Sequence, residues 1–173
     1  MTLIITPGAA DADSYASLAQ ALAYHAAKGN AAWATATDPN RETALRRATA
    51  WTDATYRSLW PGYRVNHRNQ SLDWPRYAAV DNEGWIVDYT SIPIEVVNAT
   101  CEAALRELAT PGSLSPDYAA AEQVASATAG PVSVTYKATI GVGTVIPILT
   151  IVDGILSRLI RSGSRSVRTM VRS

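Results

Sequence analysis

The sequence predicts a mainly α protein: a small bundle of about four helices, with a long irregular loop and a short C-terminal β-hairpin. Three observations carry this. Apolar residues recur at helical spacing in the first two-thirds of the chain and again near its end. Between Arg57 and Ile92 the periodicity stops, and Pro61-Gly62, Asn66, Asn69, Pro75, Asp81-Asn82 and Gly84 punctuate the segment. Residues 131–140, PVSVTYKATI, alternate apolar and polar as a strand does.

Residues 1–13 read as an extended arm turning at Pro7-Gly8. The first helix begins near Ser17, where Ser17 and Gln20 have capping-box spacing, and Gly29 suits its end. Leu18, Leu22 and Ala26 define its expected buried face. Asn30 to Thr37 allows one turn around Trp33. Asp38-Pro39 then opens a helix to about Tyr56, with Asp38 as the expected N-cap. Ala44, Leu45, Ala48, Trp51 and Thr52 form its stripe, which leaves Arg41, Arg46, Arg47 and Asp53 toward solvent or a partner.

The segment from Arg57 to Ile92 is too long for a structureless loop in a compact domain. Short strands at Ala78–Val80 and Trp85–Val87, joined by a turn at 81–84, are one solution; an interaction loop is the other. Pro93 opens the clearest helix, with Ile94, Val97, Cys101, Ala104, Leu105 and Leu108 on one face and a Glu102–Arg106 pair on the other. Residues 113–129 read as a frayed helix or a linker. A hairpin pairs 131–140 with Thr144–Ile148, and a last helix covers about Ile148 to Arg161, ending before Gly163. The result is a single domain with an extended arm. Residues 1–112 hold the helical core and the 57–92 loop, and 113–173 hold linker, hairpin, last helix and an arginine-rich tail.

Charge divides the chain further. Among 173 residues, 15 Lys+Arg balance 15 Asp+Glu. Yet Arg158, Arg161, Arg165, Arg168 and Arg172 all follow Gly154, and no acid follows Asp153. A neutral total speaks against a generic nucleic-acid coat, but an acidic body with an arginine tail is not electrostatically bland. If the last helix extended on binding, these five arginines would share a face and form a docking surface for a partner. The N-terminus lacks the basic segment of a secretory leader, and Pro147, Asp153, Gly154 and Arg158 interrupt the only long apolar stretch, so no membrane partner is expected.

Catalytic chemistry finds little material. The two histidines, His25 and His67, belong to no catalytic pattern, and no phosphate loop, zinc-helix or nucleophile-elbow motif occurs. The acids at 81, 83 and 88 match no calcium-loop spacing. Cys101, the single cysteine, lies on an apolar helical face and reads as a core residue. Neither a metal nor another cofactor is expected, and the chain does not read as an enzyme.

One segment has a binding signature. In Arg57–Tyr77, Trp60, Tyr63, Trp74 and Tyr77 interleave with Arg57, Arg64, Arg68 and Arg76. Aromatics beside arginines make single-strand grooves. Equally, in a chain with five Trp and no Phe, tryptophan must fill large core volumes.

Several short stretches also resemble a known family. They are Ser14-Tyr15-Ala16-Ser17, Ala21, Tyr24, Gly29-Asn30, Trp33, Ala44 to Thr49, Leu72-Asp73-Trp74-Pro75-Arg76, Asp81, Gly84 and Ile92-Pro93. Ala99-Thr100, Glu102-Ala103-Ala104 and Gly130 to Val134 continue the series. In order and spacing they are similar to the small head–tail connector, or adaptor, proteins of tailed bacteriophages, relatives of which are often labelled DnaT-like single-stranded DNA-binding proteins. That resemblance implies a helical, non-enzymatic virion protein at the phage neck, assembled in the host cytoplasm. It implies a homo-oligomeric ring, a dodecamer, that joins portal to tail or stopper protein and meets DNA only as channel contents. On that expectation Arg158, Arg161, Arg165, Arg168 and Arg172 dock the portal, while Trp60, Tyr63, Arg64, Trp74 and Arg76 form the subunit-interface loop. The alternative is a single-stranded DNA-binding module that uses residues 57–77.

Overall fold

The most extensive packing is between two long helices, α3 (Asp38–Tyr56) and α4 (Ile94–Ala109). The computed structural model describes residues 2–115, 126–129, 132–135 and 149–160. In chain order, α1 (Leu18–Ala27) and α2 (Ala31–Thr35) precede α3. The two-residue strands β1 (Tyr63–Arg64) and β2 (Arg76–Tyr77) follow it, with a 3-10 turn at His67–Asn69 between them. After α4 come β3 (Ser126–Ala129), β4 (Val132–Thr135) and α5 (Thr150–Leu156). The protein is mainly helical with small antiparallel ribbons, as the sequence predicts.

Local chemistry explains the helix limits. Ser17 caps α1 with both halves of the capping box in place. At α3 the N-cap is Thr37, one residue earlier than expected, with Asp38 and Pro39 in the first turn. The predicted stripe of α3 is buried throughout, from Ala44 and Leu45 to Trp51 and Thr52. With Val97, Cys101 and Ala104 of α4 and Val152 and Leu156 of α5, it belongs to one core reaching from Tyr15 to Leu159. The indole N–H groups of Trp33, Trp51, Trp60 and Trp74 are buried without hydrogen-bond partners. These rings are there for their volume, which no Phe is present to supply.

Several expectations need correction. On α1 the buried residues are Ala21 and His25, whereas Leu22 is exposed. Arg41 and Asp53, expected outside, are buried because each finds polar partners outside its own helix. Arg41 donates to the Trp33 and Ala34 carbonyls, at 2.9 and 2.8 Å. Asp53 accepts from the Tyr15 hydroxyl and from the Asp73 N–H. Ile94 is exposed, and Glu102 pairs not with Arg106 but with Lys28, the C-cap of α1, at 2.7 Å. Among the described residues, β4 pairs with the upstream strand β3. The expected return strand and the tail from Arg161 onward lie outside the described residues. The last helix is also shorter than expected.

The segment 57–92 is held by the body rather than draped over it. The 78–87 stretch has the expected ribbon, with Val80 bridging Ile86. Asn82 fastens it to the end of α5: its N–H donates to the Arg158 carbonyl and its side-chain amide to the Ser157 and Ile160 carbonyls. The N-terminal arm closes the other side, where Asn66 donates to the Gly8 carbonyl and Ser71 to those of Ala9 and Ala12.

Candidate nucleic-acid interface

The end of α3 and the β1–β2 ribbon enclose an open cleft of about 490 Å³. Arg57, Tyr63, Arg64, His67, Arg68, Asp73 and Arg76 line it. Four guanidinium groups therefore face a single carboxylate.

Its floor is a buried polar network. The Tyr15 hydroxyl donates to Asp53 and accepts from the Asp73 and Trp74 N–H groups, at 2.9 and 3.1 Å. Asp73 in turn accepts from Arg57, and Gln70 donates to the Leu72 and Pro75 carbonyls. These bonds fix the turn that precedes β2, which contains a cis Trp74–Pro75 peptide. Burial and the neighbouring Asp53 charge hold the Tyr15 phenol well above its usual pKa. Burial likewise raises the Asp53 carboxyl to about 6.

The four arginines are not equivalent. Arg76 is half-buried and committed to the fold, donating to the carbonyls of Pro61, Gly62 and Asp73. Burial lowers its pKa. Arg57 donates through Nε to Asp73, and Arg64 through Nη1 to the Gln70 carbonyl. Each keeps further N–H donors. Arg68 is exposed and has no partner among the described residues.

Sequence reasoning named all four arginines but not His67 or Asp73 as members of one cleft. His67 lies between Arg64 and Arg68, a signal that could have found it. Of the residues expected to form an interface loop, Tyr63, Arg64 and Arg76 reach the cleft. Trp60 and Trp74 do not: only 5% and 1% exposed, they pack edge to face at 5.6 Å in the core. Arg158 is exposed and 4.0 Å from Glu83, while Arg161, Arg165, Arg168 and Arg172 lie outside the described residues. Among the described residues no cluster of acids, histidines and cysteine has the makings of a metal site, and no helix is long and apolar enough to cross a membrane. Burial pushes the Cys101 thiol up to about 12, consistent with a core role.

A family model described as "Putative DnaT-like ssDNA binding protein" matches residues 1–173, the whole chain. The chain belongs to this family. Comparison with curated proteins and with solved structures gives no match. Membership in the DnaT-like family corrects the head–tail connector expectation. The finding points to DNA as the partner, in place of portal, tail or stopper proteins in a dodecameric ring around channel DNA. It favours the alternative drawn from residues 57–77.

Proposed function

We propose that this protein binds single-stranded DNA, seating the sugar–phosphate backbone in the cleft of Arg57, Arg64, His67 and Arg68. The observation that carries the reading is the convergence of four guanidinium groups on one open cleft whose single carboxylate is already paired. Arginine forks match phosphate oxygens, and an open cleft admits a polymer that continues past it at both ends. Membership in a family described by single-stranded DNA binding supports the same reading. The neutral total charge is no obstacle, because the local potential governs the encounter.

The protein acts on this reading as a binding module and not as an enzyme. Titrating a labelled oligothymidine at several salt concentrations tests it. Affinity should fall as salt rises, with a log–log slope of about −2 if three arginines each neutralise a phosphate. Failure to bind the oligonucleotide at low salt would overturn the proposal.

A further inference from the structure

We infer that Tyr63, Tyr77 and Tyr89 form a track on which unstacked bases rest while the backbone lies against the arginines. This rests on reading the cleft as the DNA site. Tyr63 lines the cleft and lies directly opposite Tyr77 in the β1–β2 register. Residues so paired project from the same face of a ribbon, with Cβ atoms about 5 Å apart. The Tyr77 ring meets that of Tyr89 at 5.9 Å between centroids, edge to face. The three rings thus follow one another, with Tyr63 bordering the basic cleft.

Their exposure is the second observation. Tyr63 is 72% exposed, Tyr77 61% and Tyr89 50%, whereas Trp60 and Trp74 of the same segment are buried. Tyrosines left at the surface beside guanidinium groups have the composition of a single-strand platform, since every base offers a π-face. The ring geometry also sets strand selectivity. The Tyr77 and Tyr89 planes are inclined at 71°, whereas successive bases of a stacked strand lie nearly parallel. A strand resting on successive rings must therefore be unstacked, which a duplex cannot be without losing its pairing. Phosphate contacts then supply the salt-dependent affinity, and the tyrosines supply preference for single over double strands.

The test compares Tyr77→Ala, Tyr89→Ala and the matching Phe variants on oligothymidine and on a hairpin duplex. Each Ala variant should bind oligothymidine roughly fivefold or more weakly, with the salt slope and the duplex affinity unchanged. The Phe variants should match wild type. Thermal melts of all four verify that these exposed positions leave the fold intact. Unchanged single-strand affinity in the Ala variants overturns the track and leaves the cleft reading standing. An equal loss on duplex, or a reduced salt slope, also overturns it, because the rings would then only brace the arginines. A concentration-dependent mass that the Ala variants lower, with DNA affinity unchanged, assigns the rings to a second copy of the chain. A wild type that binds neither oligonucleotide removes the cleft reading and this inference together.

Discussion

Arg57 Nε lies 3.0 Å from Asp73 Oδ2, joining the exposed end of α3 to a carboxylate buried under the cleft. The bond raises the pKa of Arg57 above its usual value, so the pair is a fixed charge contact. Replacing Arg57 with Ala removes the guanidinium that is hydrogen-bonded to Asp73. Water reaches the arginine side, so the expected loss is about 1–2 kcal/mol, above an exposed pair and below a fully buried one. A urea midpoint measures it. Arg57→Lys should recover part of the stability but not the fork that a phosphate needs. Equal stability of wild type and Arg57→Ala would show that the contact supports nothing beneath the cleft.

Gly62 stands where the chain leaving α3 enters β1. Its φ is +66°, and a Cβ there would lie 2.3 Å from the Tyr77 carbonyl oxygen and 2.7 Å from the Ala79 nitrogen. Both obstacles are backbone, and the Gly62 carbonyl also accepts from Arg76 at 2.7 Å. Gly62→Ala must therefore move the ribbon, at a cost of about 3 kcal/mol. Gly84→Ala is the control: φ is +92° there too, but nothing lies within 4 Å of the added carbon. Only left-handed strain remains, about 1 kcal/mol. Thermal unfolding of both variants measures the difference, and equal losses would refute the clash.

Asp53 gives the fold a pH dependence of definite sign. Burial raises its carboxyl from the ordinary 3.8 to about 6, outweighing the hydrogen bonds from Tyr15 and Asp73 that favour the anion. The folded state therefore holds this proton to higher pH than the unfolded chain does. The associated stability is complete below about pH 4 and is lost as pH rises through about 6. Its size is on the order of 3 kcal/mol. Asp53→Asn removes the titration while keeping an acceptor for Tyr15. Subtracting the variant's unfolding free energy from that of wild type across this range isolates the group. The difference should decline with rising pH, and an increase would mean that the hydrogen bonds outweigh burial.

The helices were legible because their signals are local. Ser17 with Gln20, Asp38-Pro39 and the stripes of α3 and α4 lie within a turn or two of the structure they specify. Buried charge was not legible. Asp53 looks outward on its own helix, and what buries it is Tyr15, 38 positions earlier. Two-residue strands such as β1 and β2 are too short to show a period of two. The site was half legible for the same reason. Trp60, Tyr63, Trp74 and Tyr77 alternate with arginines alike in the sequence, and only packing sends the tryptophans inward and leaves the tyrosines outside.

The same division separates two arginines that composition treats as one. Arg68 is exposed and unpartnered among the described residues, whereas Arg76 spends three N–H groups on the carbonyls of Pro61, Gly62 and Asp73. Arg68→Ala should leave the melting temperature unchanged within error, weaken oligothymidine binding, and reduce the steepness of the salt dependence by about 0.7, the share of one phosphate on a single strand. Arg76→Ala should instead lower the melting temperature, because three carbonyls lose their donors at once. Its binding should fail through the ribbon it no longer holds. Lysine at position 68 keeps a point charge and should restore most of the salt slope, while lysine at 76 cannot reach three acceptors with one ammonium group and should not restore stability. If Arg68→Ala kept both affinity and slope, the strand would have to pass along another part of the cleft.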